Sequence, residues 1–309
     1  MKRKILMQCM LWLGLAMISY GSITEFVIPF IDNVRIKKIS KELTDRYGLV
    51  VCYGDPSEFR VPPFKAITEN EELHIEKADK HYVLTALKGI KSALFKYPPT
   101  LIRKYLSAVF VAGIIKGKEV YAAGTYHNSW IYISTSGKDP LNPNKYAETF
   151  HHELSSLFLK GPLSKSLPRE QSTLFAYGPY STPIYDPGVE PIKAPKFPLE
   201  RWSRTNKTNF KYPEQDSEYI RTVKNFRKPE EAPSWYKAGF VDDYGMSSLE
   251  NDVNTYAEIA MEHPEKLKKL AEQYPRIEAK TKIFVEFYAS LAPELRDYFK
   301  SVGLSNEKQ

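Results

Sequence analysis

Tyr146-Ala147-Glu148-Thr149-Phe150-His151-His152-Glu153-Leu154-Ser155-Ser156-Leu157-Phe158 is the segment on which the reading of this chain turns. Apolar side chains at 146, 150, 154, 157 and 158 recur at helical spacing and form one stripe. Thr149, His152, Glu153 and Ser156 fall on another side. The spacing predicts a helix over residues 145–160, introduced by Pro140 and Pro143, that carries two adjacent imidazoles and a carboxylate. Taken alone, the pattern also describes an ordinary half-buried helix with polar residues on its outer face.

Strand patterns precede this helix. Ala108 to Ile115 is an apolar run closed by Lys116-Gly117-Lys118, and Trp130-Ile131-Tyr132-Ile133-Ser134 follows a turn at His127-Asn128-Ser129. Leu49-Val50-Val51-Cys52-Tyr53 predicts an earlier strand. Residues 79–95 have helical spacing, with Tyr82, Leu84, Leu87, Ile90 and Leu94 on one side, and a short helix is expected over 100–107 after Pro98-Pro99.

Beyond the helix, residues 161–240 hold 11 of the 22 prolines together with many aromatics, the composition of a folded irregular excursion. From Ser247 the chain reads as helical, broken at Pro264, Pro275 and Pro293, with a core stripe at Ile283, Phe284, Phe287, Tyr288 and Leu291. Strands early and helices late predict an α+β architecture.

The N-terminus directs the chain to a membrane. Lys2, Arg3 and Lys4 precede a run from Ile5 to Thr24 without a charged side chain, long enough at 1.5 Å per residue to cross about 30 Å of hydrocarbon. Residues 1–24 are expected to be a signal or a retained anchor with its basic tip cytoplasmic. Residues 25–48 read as a tether or first helix, and 49–309 as the exported domain. The formal charge of +7, from 44 basic and 37 acidic residues, falls to +4 once the three leading cations are assigned to insertion. The charge therefore gives no reason to expect a nucleic-acid partner, and Lys266, Lys268 and Lys269 read as a solvated helix face. Cys9 and Cys52 exclude a disulfide framework and a multi-cysteine zinc site. No Gly-rich phosphate loop and no Gly-x-Ser-x-Gly elbow is present.

In zinc peptidases a helix carries His-Glu-x-x-His because residues i and i+4 present two imidazoles to one metal, with the Glu beside the metal-bound water. Phe150-His151-His152-Glu153-Leu154 matches the first part of such a helix. Gly124-Thr125-Tyr126 and Trp130–Ser134 stand where that group has a Gly-containing segment and an edge strand. Asp243-Tyr244-Gly245, followed by the run from Glu250 to Glu258, stands where it has a Tyr-containing segment and a second, glutamate-bearing helix. The chain thus resembles the gluzincin-like zinc-binding metallopeptidases, the lethal-factor type among them. The likeness covers about residues 100–290 in element order, with close residue matches in the two motifs.

The resemblance implies a zincin-like fold, zinc as cofactor and a peptide or protein as substrate. It implies His152 as a ligand, Glu153 as the general base activating water, and Tyr244 as the group that steadies the oxyanion. Two of the family's three ligand positions are replaced, the second histidine by Ser156 and the ligand glutamate by Asn254. Glu250, Asn254 and Glu258 share a helix face, so Glu250 or Glu258 could supply a carboxylate after a shift of one turn. His151, Asp252 or His263 could supply a further ligand. Three readings stay open: a membrane-tethered metallopeptidase that hydrolyses peptide lying along Trp130–Ser134, a non-catalytic relative that binds peptide or serves as a structural module, and an unrelated envelope scaffold.

Overall fold

A computed structural model of the chain describes residues 20–56, 74–116, 121–127, 129–137, 139–160, 195–213 and 232–305. Helix α1 (Tyr20–Tyr47) leads to strand β1 (Val50–Tyr53). There follow β2 (His74–Lys77), α2 (Lys80–Leu94), α3 (Pro99–Tyr105), β3 (Ala108–Lys116), β4 (Gly124–His127), β5 (Trp130–Ser134) and α4 (Pro143–Lys160). Helices α5 (Leu199–Arg204) and α6 (Ala232–Ala238) and a 3-10 turn at Tyr244–Met246 come next. The described chain closes with α7 (Leu249–Glu262), α8 (Pro264–Gln273), α9 (Pro275–Leu291) and α10 (Pro293–Ser301). The architecture is α+β, a small mixed sheet with a mostly helical C-terminal half.

Strand β3 is the spine of the sheet. Along one side it pairs parallel with β1 (Val50 opposite Ala108) and, further on, antiparallel with β2 (His74 opposite Lys116). Along the other side it pairs parallel with β5 (Ala108 opposite Trp130), and β5 pairs antiparallel with β4 (Tyr126 opposite Ile131). This corrects one expectation: Trp130–Ser134 is an interior strand, and the strand that ends the sheet is β4. The apolar content of β5 fits that place, since all five of its residues are buried, whereas every residue of β4 is half-exposed. Strand β2 went unforeseen because His74-Ile75-Glu76-Lys77 is mostly exposed and polar and lacks an apolar alternation.

Alternation along the strands divides the core. Val109, Val111, Ile131 and Ile133 face the helices, while Phe110, Trp130, Tyr132 and Cys52 form a smaller cluster on the opposite face. Cys52 is a packed apolar group whose thiol is pushed up to about 12 by burial. On α2, Leu84, Leu87, Ile90 and Leu94 are buried as the spacing predicts, each contributing about 1.5–3 kcal/mol of apolar burial. Gly89 lets α2 meet α4, because a Cβ there would lie 2.1 Å from the Pro143 carbonyl oxygen. Of residues 25–48, expected as a tether or first helix, all but Gly48 belong to α1, which enters the core through Ile36, Leu43 and Tyr47. Pro264, Pro275 and Pro293 each stand in the first turn of a new helix, where the missing N–H costs nothing.

Within the proline-rich stretch, the described residues 195–213 and 232–240 are folded, with Trp202 and Phe240 fully buried. Residues 1–19, which hold most of the charge-free run, lie outside the described residues. Among the described residues, no helix is long and apolar enough to cross a membrane.

Candidate functional site at the α4–α7 interface

Helix α4 forms where the stripe predicts, with Tyr146, Phe150, Leu154, Leu157 and Phe158 buried. Its polar side is enclosed too: His152, Glu153 and Ser156 are at most 9% exposed, because α7 packs against them. Ser248 caps α7, its hydroxyl accepting from the Asn251 backbone N–H at 3.1 Å. The two helices run antiparallel and are joined by a ladder of polar contacts. Glu148 Oε1 meets His263 Nε2 at 2.8 Å, Glu262 Oε1 meets His151 Nε2 at 2.8 Å, and Glu258 Oε1 meets His152 Nδ1 at 2.5 Å. At the far end Asn254 Nδ2 donates to Ser156 Oγ at 2.7 Å.

The protonation of His152 follows from its neighbours. Ser247 Oγ donates to the Tyr244 carbonyl and accepts from Asn251 Nδ2 at 2.7 Å, which turns Asn251 Oδ1 toward His152 Nε2 at 3.3 Å. With an amide oxygen on one ring nitrogen and a carboxylate on the other, the imidazole donates from both and is a cation. Burial opposes that charge, but the Glu258 hydrogen bond and charge outweigh it, and the pKa is raised to about 9. The Tyr244 ring lies 5.6 Å from the His152 ring, tilted by 38°.

Glu153 is 7% exposed. Burial pushes its carboxyl up to about 7, Glu250 and Glu258 push the same way, and the neighbouring imidazolium pulls against them. It sits under β4, where a Cβ on Gly124 would lie 2.9 Å from Glu153 Oε1 and 2.6 Å from Thr149 Cγ2. Glu250 accepts from the Tyr126 hydroxyl at 2.8 Å.

The structure therefore brings His152, Glu153, Tyr244, Glu250 and Glu258 into one neighbourhood, but the donors do not suit zinc. His152 has Glu258 on one ring nitrogen and Asn251 on the other, and Ser156 and Asn254 stand where the further ligands would be, with Asn254 Nδ2 donating to Ser156 Oγ and Asn254 Oδ1 buried without a partner. The reserve ligands are spoken for. His151 is fully buried, accepts from Tyr97 Oη at 2.7 Å and donates to Glu262; burial lowers its pKa, and it is a neutral structural residue. Asp252 points to another face of α7, and His263 pairs with Glu148 near the surface. Among the described residues, no group of three or more His, Cys, Asp or Glu side chains is placed to hold a metal ion.

Asn251, Tyr126 and Gly124 complete the site. Gly124 and Tyr126 stood out in the sequence only as part of the Gly-containing segment of the resemblance, and Asn251 only by its place on the second motif helix, none with a role of its own. Only the antiparallel register of α7 on α4 and the position of β4 above them select these residues. No protein-family model, no curated protein and no solved structure matches the chain.

Proposed function

We propose that this protein is a non-catalytic, peptide-binding module with a zincin-like arrangement, tethered outside the cytoplasm through its N-terminal segment. In this reading β4 is the antiparallel edge strand, α4 and α7 are the two motif helices, and an extended peptide adds to β4 by strand pairing. The observation that carries it is the internal pairing of the ligand positions. Ser156 Oγ accepts from Asn254 Nδ2, and the two ring nitrogens of His152 face Glu258 and Asn251, so the positions that would hold a metal are turned toward one another. Support for the peptide comes from β4, which ends the sheet directly over this interface. The second reading, zinc-dependent hydrolysis, has Glu153 in its favour, since a carboxyl near pKa 7 suits a general base.

Fluorescently labelled β-casein, an unfolded polypeptide, tests the two together. The full chain, incubated with zinc and dialysed, is expected to retain no stoichiometric metal, to raise the anisotropy of the label and to leave the casein intact on a gel. Stoichiometric zinc that disappears in His152→Ala, together with casein cleavage, overturns the proposal in favour of the peptidase. Intact casein that never binds overturns the peptide assignment.

A further inference from the structure

Away from the α4–α7 interface, one buried pair is set up for a covalent bond. Lys280 Nζ on α9 lies 2.5 Å from Asp252 Oδ2 on α7, and both side chains are 0% exposed. Oδ2 also accepts from Trp202 Nε1 and Tyr212 Oη at 2.7 Å each. Asn206 Nδ2 donates to Tyr212 Oη at 2.9 Å, which leaves the phenol proton for Asp252. Three donors thus converge on one carboxylate oxygen, while Oδ1 is buried without a partner. The rings of Trp202, Phe240 and Tyr256 surround the ammonium. Burial works against both charges, raising the Asp252 carboxyl and lowering the Lys280 ammonium, which favours the acid and the amine. An amine held against a carboxylic acid in an enclosed site, with fixed donors on the carbonyl oxygen, is the arrangement that amide formation requires.

We propose that Asp252 and Lys280 condense in the folded chain to an isopeptide bond that locks α7 to α9. One ammonium proton passes to the carboxylate, leaving a neutral amine and an acid whose hydroxyl is Oδ1. The Nζ lone pair attacks Cγ, and the carbonyl electron pair moves onto Oδ2, where Trp202 and Tyr212 already donate. A second proton moves from Nζ to the Oδ1 hydroxyl, the Cγ–Oδ1 bond breaks, and Oδ1 leaves as water. The amide keeps the third proton on nitrogen, and Oδ2, now its carbonyl oxygen, keeps both donors. No oxidant, reductant or further reactant enters the balance. Condensation also removes the one oxygen of the pair that is buried unpaired, a group that costs free energy while it remains. The salt bridge is the reactant, and it persists in any chain in which the bond has not formed.

Mass spectrometry of the full chain tests the bond. The denatured protein is expected to weigh about 18 Da less than its sequence requires, the mass of one water. A tryptic digest is expected to give one branched peptide that joins the Asp252 and Lys280 segments, with no cleavage after Lys280 and the link located by fragmentation. The full sequence mass, with the two segments in separate peptides, overturns the proposal. A loss of water confined to the Asp252 segment, as a cyclic imide, overturns it as well. Tyr212→Phe removes one donor from Oδ2 and is expected to slow formation of the branched peptide on the order of a hundredfold, followed over hours after cell-free synthesis. An unchanged rate overturns the part given to Tyr212. If Tyr212→Phe does not fold, as judged by circular dichroism, the wild-type digest decides by itself.

Discussion

Helix α7 carries two polar clusters on different faces, and they are built to different rules. On one face Asp252 Oδ2 accepts from Trp202 Nε1 and Tyr212 Oη at 2.7 Å each and from Lys280 Nζ at 2.5 Å. Both members of that ion pair are 0% exposed, and the Lys280 ammonium is ringed by Trp202, Phe240 and Tyr256 at 4.3 to 5.8 Å from the ring centres. On the other face the His152–Glu258 pair is 11% and 31% exposed, and Glu153 beside it has a pKa displaced to about 7. The first cluster is a closed joint that fixes α7 against α9 and the segment around Trp202. The second opens to solvent at Glu258 and keeps a displaced carboxyl at its centre. An ion pair walled in by rings holds a fold together; one that opens beside a perturbed carboxyl is where a ligand can act.

The closed cluster is expected to give the largest stability change. Lys280→Met leaves Asp252 buried without its counter-charge and is expected to lower stability by about 3–5 kcal/mol in urea unfolding. Adding Asp252→Leu to it is expected to restore much of that loss, because no charge then remains inside. A small effect of Lys280→Met would erase the distinction between the two faces.

The open cluster is expected to show itself through pH. Glu153 has its folded pKa raised from 4.5 to about 7, so between those values the folded chain binds more protons than the unfolded one. Its contribution to stability is full at low pH and falls as pH rises from 4.5 to 7, by on the order of 2 kcal/mol. His152, raised from 6.5 to about 9, adds a fall of the same sign over that higher range. Thermal melts from pH 4.5 to 7 are expected to show a steeper decline in the wild type than in Glu153→Gln. Parallel curves would mean that Glu153 is an ordinary carboxyl.

Gly124→Ala sharpens the comparison with a smaller effect. Its Cβ would meet Thr149 Cγ2 at 2.6 Å and Glu153 Oε1 at 2.9 Å. Forcing β4 off α4 is expected to cost about 1–3 kcal/mol. In hydrogen–deuterium exchange the change is expected in β4 and α4, while α9 around Lys280 stays as protected as before.

The helices, and the strands with apolar runs, were legible because their hydrophobic spacing is local. The α4 stripe, the α2 face and the proline-led helices of the C-terminal half all stand where the periodicity puts them. Strands β2 and β4 were less legible, since a short polar edge strand takes its conformation from the partner it pairs with and not from its own composition.

For the site, the sequence could nominate His152, Glu153, Tyr244, Glu250 and Glu258, and could see that Ser156 and Asn254 stand in unexpected places. It could not say that these last two bind each other, or that Asn251 turns its oxygen to His152. Sequence alone determined which side chains each helix offers, because 3.6 residues per turn assigns every residue to a face. Tertiary structure decided which face meets which, because the register of α7 on α4 depends on how residues a hundred apart pack. That register gave His152 a carboxylate and an amide as partners, and so set its charge.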